Sequence, residues 1–357
     1  MGHGKARGNT DNDAPVMHGA NDLPTVTVAS YNLETRDKQG FIGDRANKSA
    51  FRDAIEAWRI RVRNGGEDPL GEVATSSLSK KEIDALLKEE ETEAAALVRA
   101  ATDDFATALT DVLARYLKED AWKGVQRIAV GGGFRDSAAG LMAIARAQLL
   151  LKAEGVKVAL TPIAHHPDEA GLIGAVHLIP SWMLKGHDAI LAVDIGGTNI
   201  RAGAVKLNLD DAKDFGKAKV WKSELWRHAD DEPKRTATIE YLVRMLETLI
   251  GKAKKAKLAL APVIGIGCPG IIASDGSIAR GGQNLPGGNW ESTHFNLPEA
   301  LRKAIPEIDE QPTFVIMHND AVVQGLSEVP RMADCKAWAA VTIGTGLGNV
   351  SFLNKKD

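Results

Sequence analysis

Cysteine, long apolar runs and excess charge of one sign are all scarce in this 357-residue sequence. The two cysteines, Cys268 and Cys335, form no cluster that could hold zinc, so we expect no structural zinc and a reducing, cytoplasmic location. No apolar run reaches the ~18 residues that a membrane span needs, so we expect no membrane association. The formal net charge of -3 leaves no basic stripe, which argues against nucleic acid as a partner.

The composition suits a globular protein with two hydrophobic cores. It is 44% hydrophobic and 25% charged, and the length of the chain favours two domains. Predicted strands and helices alternate from Pro24 to Leu353, which indicates an α/β fold. The polar, glycine-rich start of the chain, residues 1–25, is predicted to be a flexible leader.

Two turns rich in glycine and threonine each follow an apolar run that reads as a strand. The first lies in Asp194-Ile-Gly-Gly-Thr-Asn-Ile-Arg, and the second is Gly344-Thr-Gly-Leu-Gly348. Turns of this kind can point backbone N–H groups and a threonine hydroxyl at a phosphate, although they can equally be plain hairpins. Two such turns in one chain favour a pair of grips on one polyphosphate.

Three other features suit a phosphate-transfer site. Asp194, at the mouth of the first turn, could hold Mg²⁺ through water. Asp320 follows a buried strand and opens a helix, where its carboxylate could act as a general base or simply cap the helix. The cluster Gly131–Gly133 ends another strand and leaves bare backbone on which a flat ring could lie, or it forms an ordinary strand-to-helix turn.

Together these segments resemble the ROK sugar kinases, within the actin-like, hexokinase-type ATPase superfamily. The resemblance rests on Asp194–Arg201 and Gly344–Gly348 as the two phosphate motifs, Gly265–Gly270 as the GxGxPG strand end, Asn284-Leu-Pro with Trp290 as the sugar loop, Asn319-Asp320-Ala321 as the catalytic motif, and Arg127–Leu178 as the family's C-terminal segment with its adenosine turn.

The resemblance implies a two-lobed, ribonuclease H-like ATPase fold. The segment that is C-terminal in the family precedes the first phosphate motif here, which is the order that a circular permutation gives. We expect a larger lobe formed by residues 26–168 and 330–357 and a smaller lobe formed by residues 169–329. A homodimer is expected from the resemblance alone.

The activity that the resemblance implies is ATP-dependent phosphorylation of a hexose, most simply glucose, with Asp320 as the general base. Asp194 would orient Mg²⁺ through water, and Asp44 would stand at the position of a sugar-binding glutamate. The other expected ligands are Asn284, Asn319 and Asp320 for the sugar; Gly196, Gly197, Thr198, Asn199, Thr345 and Gly346 for the phosphates; and Gly132 and Gly133 for the adenosine.

The sequence departs from the family in lacking a clear Glu-x-Gly-His sugar motif and the cysteine-rich zinc loop. Two other functions therefore stay open. One is a non-catalytic, sugar-binding regulatory protein on the same fold. The other is a phosphotransferase that uses another acceptor, or polyphosphate as the donor.

Overall fold

A computed structural model describes residues 17–89, 92–283 and 285–355. Strands and helices alternate along this part of the chain, so the predicted α/β class is confirmed. The strands, in chain order, are β1 (Val26–Tyr31), β2 (Arg36–Asp37), β3 (Gly40–Phe41), β4 (Arg127–Gly131), β5 (Ala159–Pro162), β6 (Ala189–Ile195), β7 (Ile200–Lys206), β8 (Lys219–Trp226), β9 (Leu260–Cys268), β10 (Ile271–Ile272), β11 (Ile278–Arg280), β12 (Glu307–Ile308), β13 (Gln311–Pro312), β14 (Phe314–Asn319), β15 (Ala337–Ile343) and β16 (Leu347–Asn354). The helices are α1 (Lys48–Arg63), α2 (Lys80–Lys88), α3 (Glu93–Tyr116), α4 (Ala138–Ala153), α5 (Pro167–Gly174), α6 (Arg235–Lys255), α7 (Leu297–Ala304) and α8 (Asp320–Leu326).

Two five-stranded sheets carry the fold. The first sheet has the order β1-β16-β15-β4-β5, and the second has the order β8-β7-β6-β9-β14. Each sheet joins three antiparallel strands to two parallel ones, and β15 and β6 occupy the same central position. Each of these central strands runs into a glycine turn, so both predicted turns are hairpins at equivalent places.

The two sheets differ in the order in which the chain builds them. In the second sheet the chain forms the central strand first and then proceeds through β7, β8, β9 and β14. In the first sheet, β15 and β16 hold the positions of β6 and β7 but come last in the chain. Strand β1 holds the position of β8 but comes first. Because β1 pairs antiparallel with β16, Val26 lies opposite Asn354.

Helix α8 joins the two sheets. It packs on β15 and β16 of the first sheet, on β9 of the second, and on α5. Its apolar residues belong to a core that contains Ile190 from β6 and Trp338 from β15. Because this short helix contacts both sheets, its first residue, Asp320, is placed where the two sheets meet.

Helices α1, α2 and α3 form a separate layer that packs with α4 beside the first sheet. Its centre is a group of three aromatic rings, in which Phe134 lies 5.0 Å from Phe51 and 4.8 Å from Phe105 between ring centroids. Helix α3 carries an apolar stripe that includes Leu97, Phe105 and Leu109, all buried. The segment after β5 divides into α5 and a 3₁₀ turn, Ala175–Leu178.

The start of the described chain is held against the second sheet. The N–H of Gly19 donates to Met317 O at 2.9 Å, and the N–H of Met317 donates to His18 Nδ1 at 3.1 Å. Residues 1–16 of the predicted leader lie outside the described residues. The five strands of each sheet fall within the sequence ranges predicted for one lobe, while the division into two lobes stays a prediction. Within the part of the chain described, no helix combines the length and apolarity that crossing a bilayer requires.

The loop between α1 and α2 is built around the buried guanidinium of Arg59. Its Nε donates to Asp68 Oδ2 at 2.8 Å, and Nη2 donates to Gly71 O at 2.9 Å. Nη1 donates to Val73 O at 2.6 Å and to Thr75 Oγ1 at 2.8 Å. Arg59 is 1% exposed, so the hydrogen bonds of this one buried side chain hold the polar loop in place.

We expect Arg59→Met to lower the free energy of unfolding by about 3–5 kcal/mol, because it leaves a buried carboxylate and carbonyl groups without their donor. Chemical denaturation followed by circular dichroism measures this. Arg61→Met is the matched control on the same helix, since Arg61 is exposed and lies 4.9 Å over the Trp58 ring; it should cost no more than about 1 kcal/mol. Equal losses in the two variants would contradict a structural role for Arg59.

Candidate functional site

Parallel pairing in the second sheet brings the carboxyl ends of β6, β9 and β14 to one edge. Asp194 in β6 lies opposite Gly267 in β9, and Asn319 in β14 lies opposite Cys268 in β9. Since neighbouring strands are ~4.8 Å apart, β6 and β14 are separated by roughly 10 Å. Asp194 and Asp320 therefore stand on either side of the end of β9.

Asn319 fixes the start of α8. Its side-chain oxygen accepts from the N–H groups of Ala321 at 3.0 Å and Val322 at 3.3 Å, and its Nδ2 donates to Gly270 O at 3.0 Å. Asn319 is therefore the N-cap of α8, a role that the sequence had left open for Asp320. Because Asn319 is completely buried and its amide bonds to protein groups, it orients Asp320 in this structure. Its predicted contact with the sugar stays a prediction.

Burial, followed by the charge of Asp194, raises the pKa of Asp320 to about 7, although hydrogen bonds from the Ala321 N–H, its own N–H and Asn319 act the other way. Burial likewise raises the pKa of Asp194 to about 6; Arg201 opposes this rise and Asp168 adds to it. Burial and then the charges of Asp320 and Asp194 raise the pKa of the Cys268 thiol, which ends β9 between the two carboxylates. A carboxylate that titrates near neutral pH is suited to general-base work.

Asp194 has a free oxygen that suits a hydrated cation. The residue is 3% exposed, and its Oδ1 is buried without a hydrogen-bond partner among the described residues. Its Oδ2 lies 3.7 Å from Arg201 Nη1, and Arg201 also pairs with Asp168. The carboxylate lies against Gly171 of α5, where an added Cβ would come within 2.5 Å of its Cγ. A hard oxygen ligand in such a place fits Mg²⁺ held partly through water.

No group of three or more His, Cys, Asp or Glu side chains that could enclose a metal occurs in residues 17–89, 92–283 and 285–355. Mg²⁺ characteristically keeps several waters and takes one or two carboxylates together with substrate phosphates. The unbonded oxygen of Asp194 therefore agrees with a cation that arrives with its phosphate substrate.

The first glycine turn, residues 196–199, is closed by a bond from the N–H of Gly196 to Asn199 O at 2.8 Å. The N–H groups of Gly197 and Thr198 make no hydrogen bond within the described part of the chain, so they are available to an anion. His228 supports the turn from behind, with Nε2 at 2.8 Å from Gly196 O. No local pattern in the sequence pointed to this supporting histidine.

The second glycine turn, residues 344–346, is closed by a bond from the N–H of Gly344 to Gly346 O at 2.9 Å. Thr345 and Gly346 are exposed. The predicted adenosine turn lies beside it: Gly132 has a φ of +83°, and a Cβ there would come 2.4 Å from Ile343 O. Only glycine suits that position, and the close approach keeps Gly132 and the second turn together.

Helix α8 connects the second turn with Asp320. A Cβ added to Gly348 would lie 2.8 Å from the Cβ of Ala321, the residue after Asp320. Asp320 in turn is coupled electrostatically to Asp194 at the mouth of the first turn. The structure thus brings together the regions of Gly132, Asp194, Asp320 and Gly348, which are far apart in the sequence.

The predicted sugar ligands fare differently. Asn284 lies outside the described residues. Trp290 is 2% exposed and donates to Pro286 O at 2.9 Å, so it fixes its own loop rather than forming a wall of the cleft. Asp44 is exposed and close enough to Tyr116 for its charge to influence that hydroxyl. Within the part of the chain described, Asp44 shares no hydrogen bond or ion pair with Asp320.

Residues 190–356 match the model of the ROK family. The match covers just under half of the chain and includes both glycine turns, Asp194 and Asp320, so the predicted resemblance is confirmed over that segment. Comparison with curated proteins finds no match.

Among solved structures, the chain is similar to a "putative sugar kinase" from Cytophaga hutchinsonii, with 21% identity, a TM-score of 0.35 and coverage of 47% of this chain and 48% of that chain. It is similar to Lmo2764, a "putative N-acetylmannosamine kinase" from Listeria monocytogenes, with 21% identity, a TM-score of 0.33 and coverage of 46% and 47%. An exopolyphosphatase from Cytophaga hutchinsonii follows, with 16% identity, a TM-score of 0.23 and coverage of 50% and 53%. The chain spans about half the length of these solved structures.

Proposed function

We propose that this chain is a sugar kinase that transfers the terminal phosphoryl group of ATP to a hexose, with glucose as the first candidate acceptor. The observation that carries the proposal is the position and pKa of Asp320: a carboxylate that titrates near pH 7 opens a helix packed against one glycine turn and faces the aspartate of the other. The ROK match over residues 190–356 supports the same reaction.

In this proposal the donor phosphates bind to the free N–H groups of Gly197 and Thr198 from one side and to Thr345 and Gly346 from the other. Gly196 and Asn199 contribute by holding the first turn closed. The adenosine rests on Gly132 and Gly133; a Cβ added to Gly133 would meet no atom within 4 Å, so this backbone is open to a ring. Mg²⁺, when bound, would neutralise charge on the phosphates, with the free oxygen of Asp194 orienting it through water.

Asp320 receives the proton of the attacking sugar hydroxyl as the phosphoryl group moves. Asn319 holds the helix start that aims this carboxylate, and Arg201 favours the ionised form of Asp194. Asp44 and Asn284 are proposed sugar contacts from the family resemblance. A homodimer remains a prediction from the same resemblance, and a cytoplasmic location remains a prediction from the low cysteine content.

We also propose that the fold is a two-lobed ATPase fold in which one lobe is circularly permuted. The support is the shared strand plan of the two sheets, together with the chain order β15-β16 last and β1 first in one of them. The pairing of Val26 with Asn354 brings the start of β1 next to the end of β16. A circular permutation requires such proximity.

A panel of hexoses with Mg-ATP, scored by ADP release, tests the reaction. Asp320→Asn should lower kcat at least ~10²-fold because it removes the proton acceptor. Its Kd for Mg-ATP should stay within about twofold of the wild-type value, since the phosphate contacts are intact. Asp210→Asn, a change at an exposed position away from this edge, is the matched control and should keep full activity.

Two results would separate the alternatives. Hexose binding by calorimetry without ADP release from any acceptor would favour a regulatory sugar-binding protein. Phosphoryl transfer from polyphosphate but not from ATP would show that polyphosphate is the donor. If the Asp320→Asn variant keeps more than a few per cent of wild-type turnover, Asp320 is not the general base.

The raised pKa of Asp320 also predicts a stability effect. A carboxyl group whose pKa is higher in the folded state contributes stability below its unfolded pKa near 3.9, and this contribution is lost as the pH rises through about 7. Asp320→Asn removes the buried charge. Its free energy of unfolding should therefore exceed that of the wild type by about 1–3 kcal/mol at pH 8, and the difference should shrink towards pH 5.

Chemical denaturation at pH 5, 6, 7 and 8 measures this, with Asp210→Asn as the control that should follow the wild type throughout. A stability difference that does not change with pH would mean that Asp320 is ionised at an ordinary pKa in the folded protein.

A further inference from the structure

Lys48 is fixed to the second glycine turn. It is the first residue of α1, and its N–H donates to Gly344 O at 2.9 Å. Asn47 caps the same helix by accepting from the N–H of Ala50 at 2.9 Å. The backbone of Lys48 therefore cannot move without disturbing the turn, whereas its side chain is exposed.

Arg227 is fixed to the first glycine turn in a comparable way. It follows β8 directly and precedes His228, whose ring contacts Gly196 O. The N–H of Ala229 donates to Thr198 O at 3.2 Å. The guanidinium of Arg227 is 68% exposed and bonds through Nε to Asp230 at 3.1 Å, which leaves its other N–H groups available.

The two cations lie close enough to repel each other. Partial burial of the ammonium group and then the charges of Arg52, Arg227 and Lys80 lower the pKa of Lys48. Lys80 is paired with Asp136 at 2.6 Å, and Arg52 donates to two carbonyl groups at 2.9 and 3.1 Å. Lys48 has no ion-pair partner within residues 17–89, 92–283 and 285–355. Positive charge thus accumulates beside both turns, and the N–H groups of Gly197 and Thr198 in the first turn are unbonded within the described residues.

We propose that Lys48 and Arg227 bind the terminal phosphates of the donor from opposite sides, and so select a triphosphate over a diphosphate. The inference rests on the donor site of the proposed function, but it does not depend on the acceptor. Bonds from a charged donor to phosphate are about twice as strong as neutral ones. An anion bound between the turns also relieves the repulsion between the two cations. The affinity of the site for an anion therefore rises with the negative charge of that anion.

Isothermal titration calorimetry tests this with Mg-ATP, Mg-ADP, adenosine and inorganic tripolyphosphate as the probes. Lys48→Met and Arg227→Met should each weaken ATP and tripolyphosphate at least ~10-fold, the effect of one charge-assisted hydrogen bond. Binding of adenosine should stay within twofold. The affinity of the variants for ATP should also fall less steeply with added salt, because each has one cation fewer.

Lys254→Met is the matched control. Lys254 is an exposed lysine in the last turn of α6, and its replacement should leave every Kd unchanged. Equal melting temperatures for the four proteins exclude unfolding as the cause of lost affinity. Combining Lys48→Met with Arg227→Met should give less than the sum of the two losses, because both cations bind the same phosphate group.

The outcomes distinguish this inference from the kinase proposal. Wild-type affinity for ATP and tripolyphosphate in both variants would overturn the inference and leave the kinase proposal standing. Loss of affinity in the variants of a protein that phosphorylates no hexose would support the inference and refute the kinase proposal. A wild-type protein that binds neither ATP nor tripolyphosphate would refute both.

Discussion

The parallel register of β6, β9 and β14 places two carboxylates at one buried edge, and the site depends on this constraint. Folding must remove Asp194 and Asp320 from water while keeping them on either side of the end of β9. Arg201 offsets part of the cost of burying the Asp194 carboxylate, because its Nη1 lies 3.7 Å from Asp194 Oδ2. Arg201 also forms an ion pair with Asp168. The remaining cost appears as raised pKa values. An arrangement that disfavours folding at neutral pH is one that the proposed catalytic role of Asp320 would explain.

Close contacts without side chains allow the distant segments to meet at this edge. Gly171 lets α5 lie against the Asp194 carboxylate, and Gly348 lets the second turn lie against Ala321. A methyl group at Gly171 would come within 2.8 Å of Oδ1, the oxygen of Asp194 that has no hydrogen-bond partner among the described residues. The glycines of the sequence motifs thus serve packing between segments as well as the backbone conformation of their turns, and the two requirements cannot be separated by inspecting the motif alone.

The sequence predicted the large elements of this fold and the segments of the site, because both leave local patterns. Apolar runs followed by glycine turns located Asp194 and Gly344. Features that depend on spatial neighbours were missed. The two-residue strands β2, β3, β12 and β13 are too short to show a period. The bond from Asn319 Nδ2 to Gly270 O joins positions 49 residues apart, so no local pattern could show it.

Lys48 and Arg227 show the same limit most clearly. They are separated by far more sequence than any local pattern spans, and each stands among other charged residues, where a lysine or arginine is ordinarily part of a solvated surface. Only the hydrogen bonds to Gly344 and from the His228 segment give them a place beside the turns. Cations then lie beside both turns, and carboxylates lie at the strand ends. Under the proposed function, an anionic donor would bind at the positive side and present its terminal phosphate towards the base. The same polarity would keep the donor phosphates from competing for the position of the neutral acceptor.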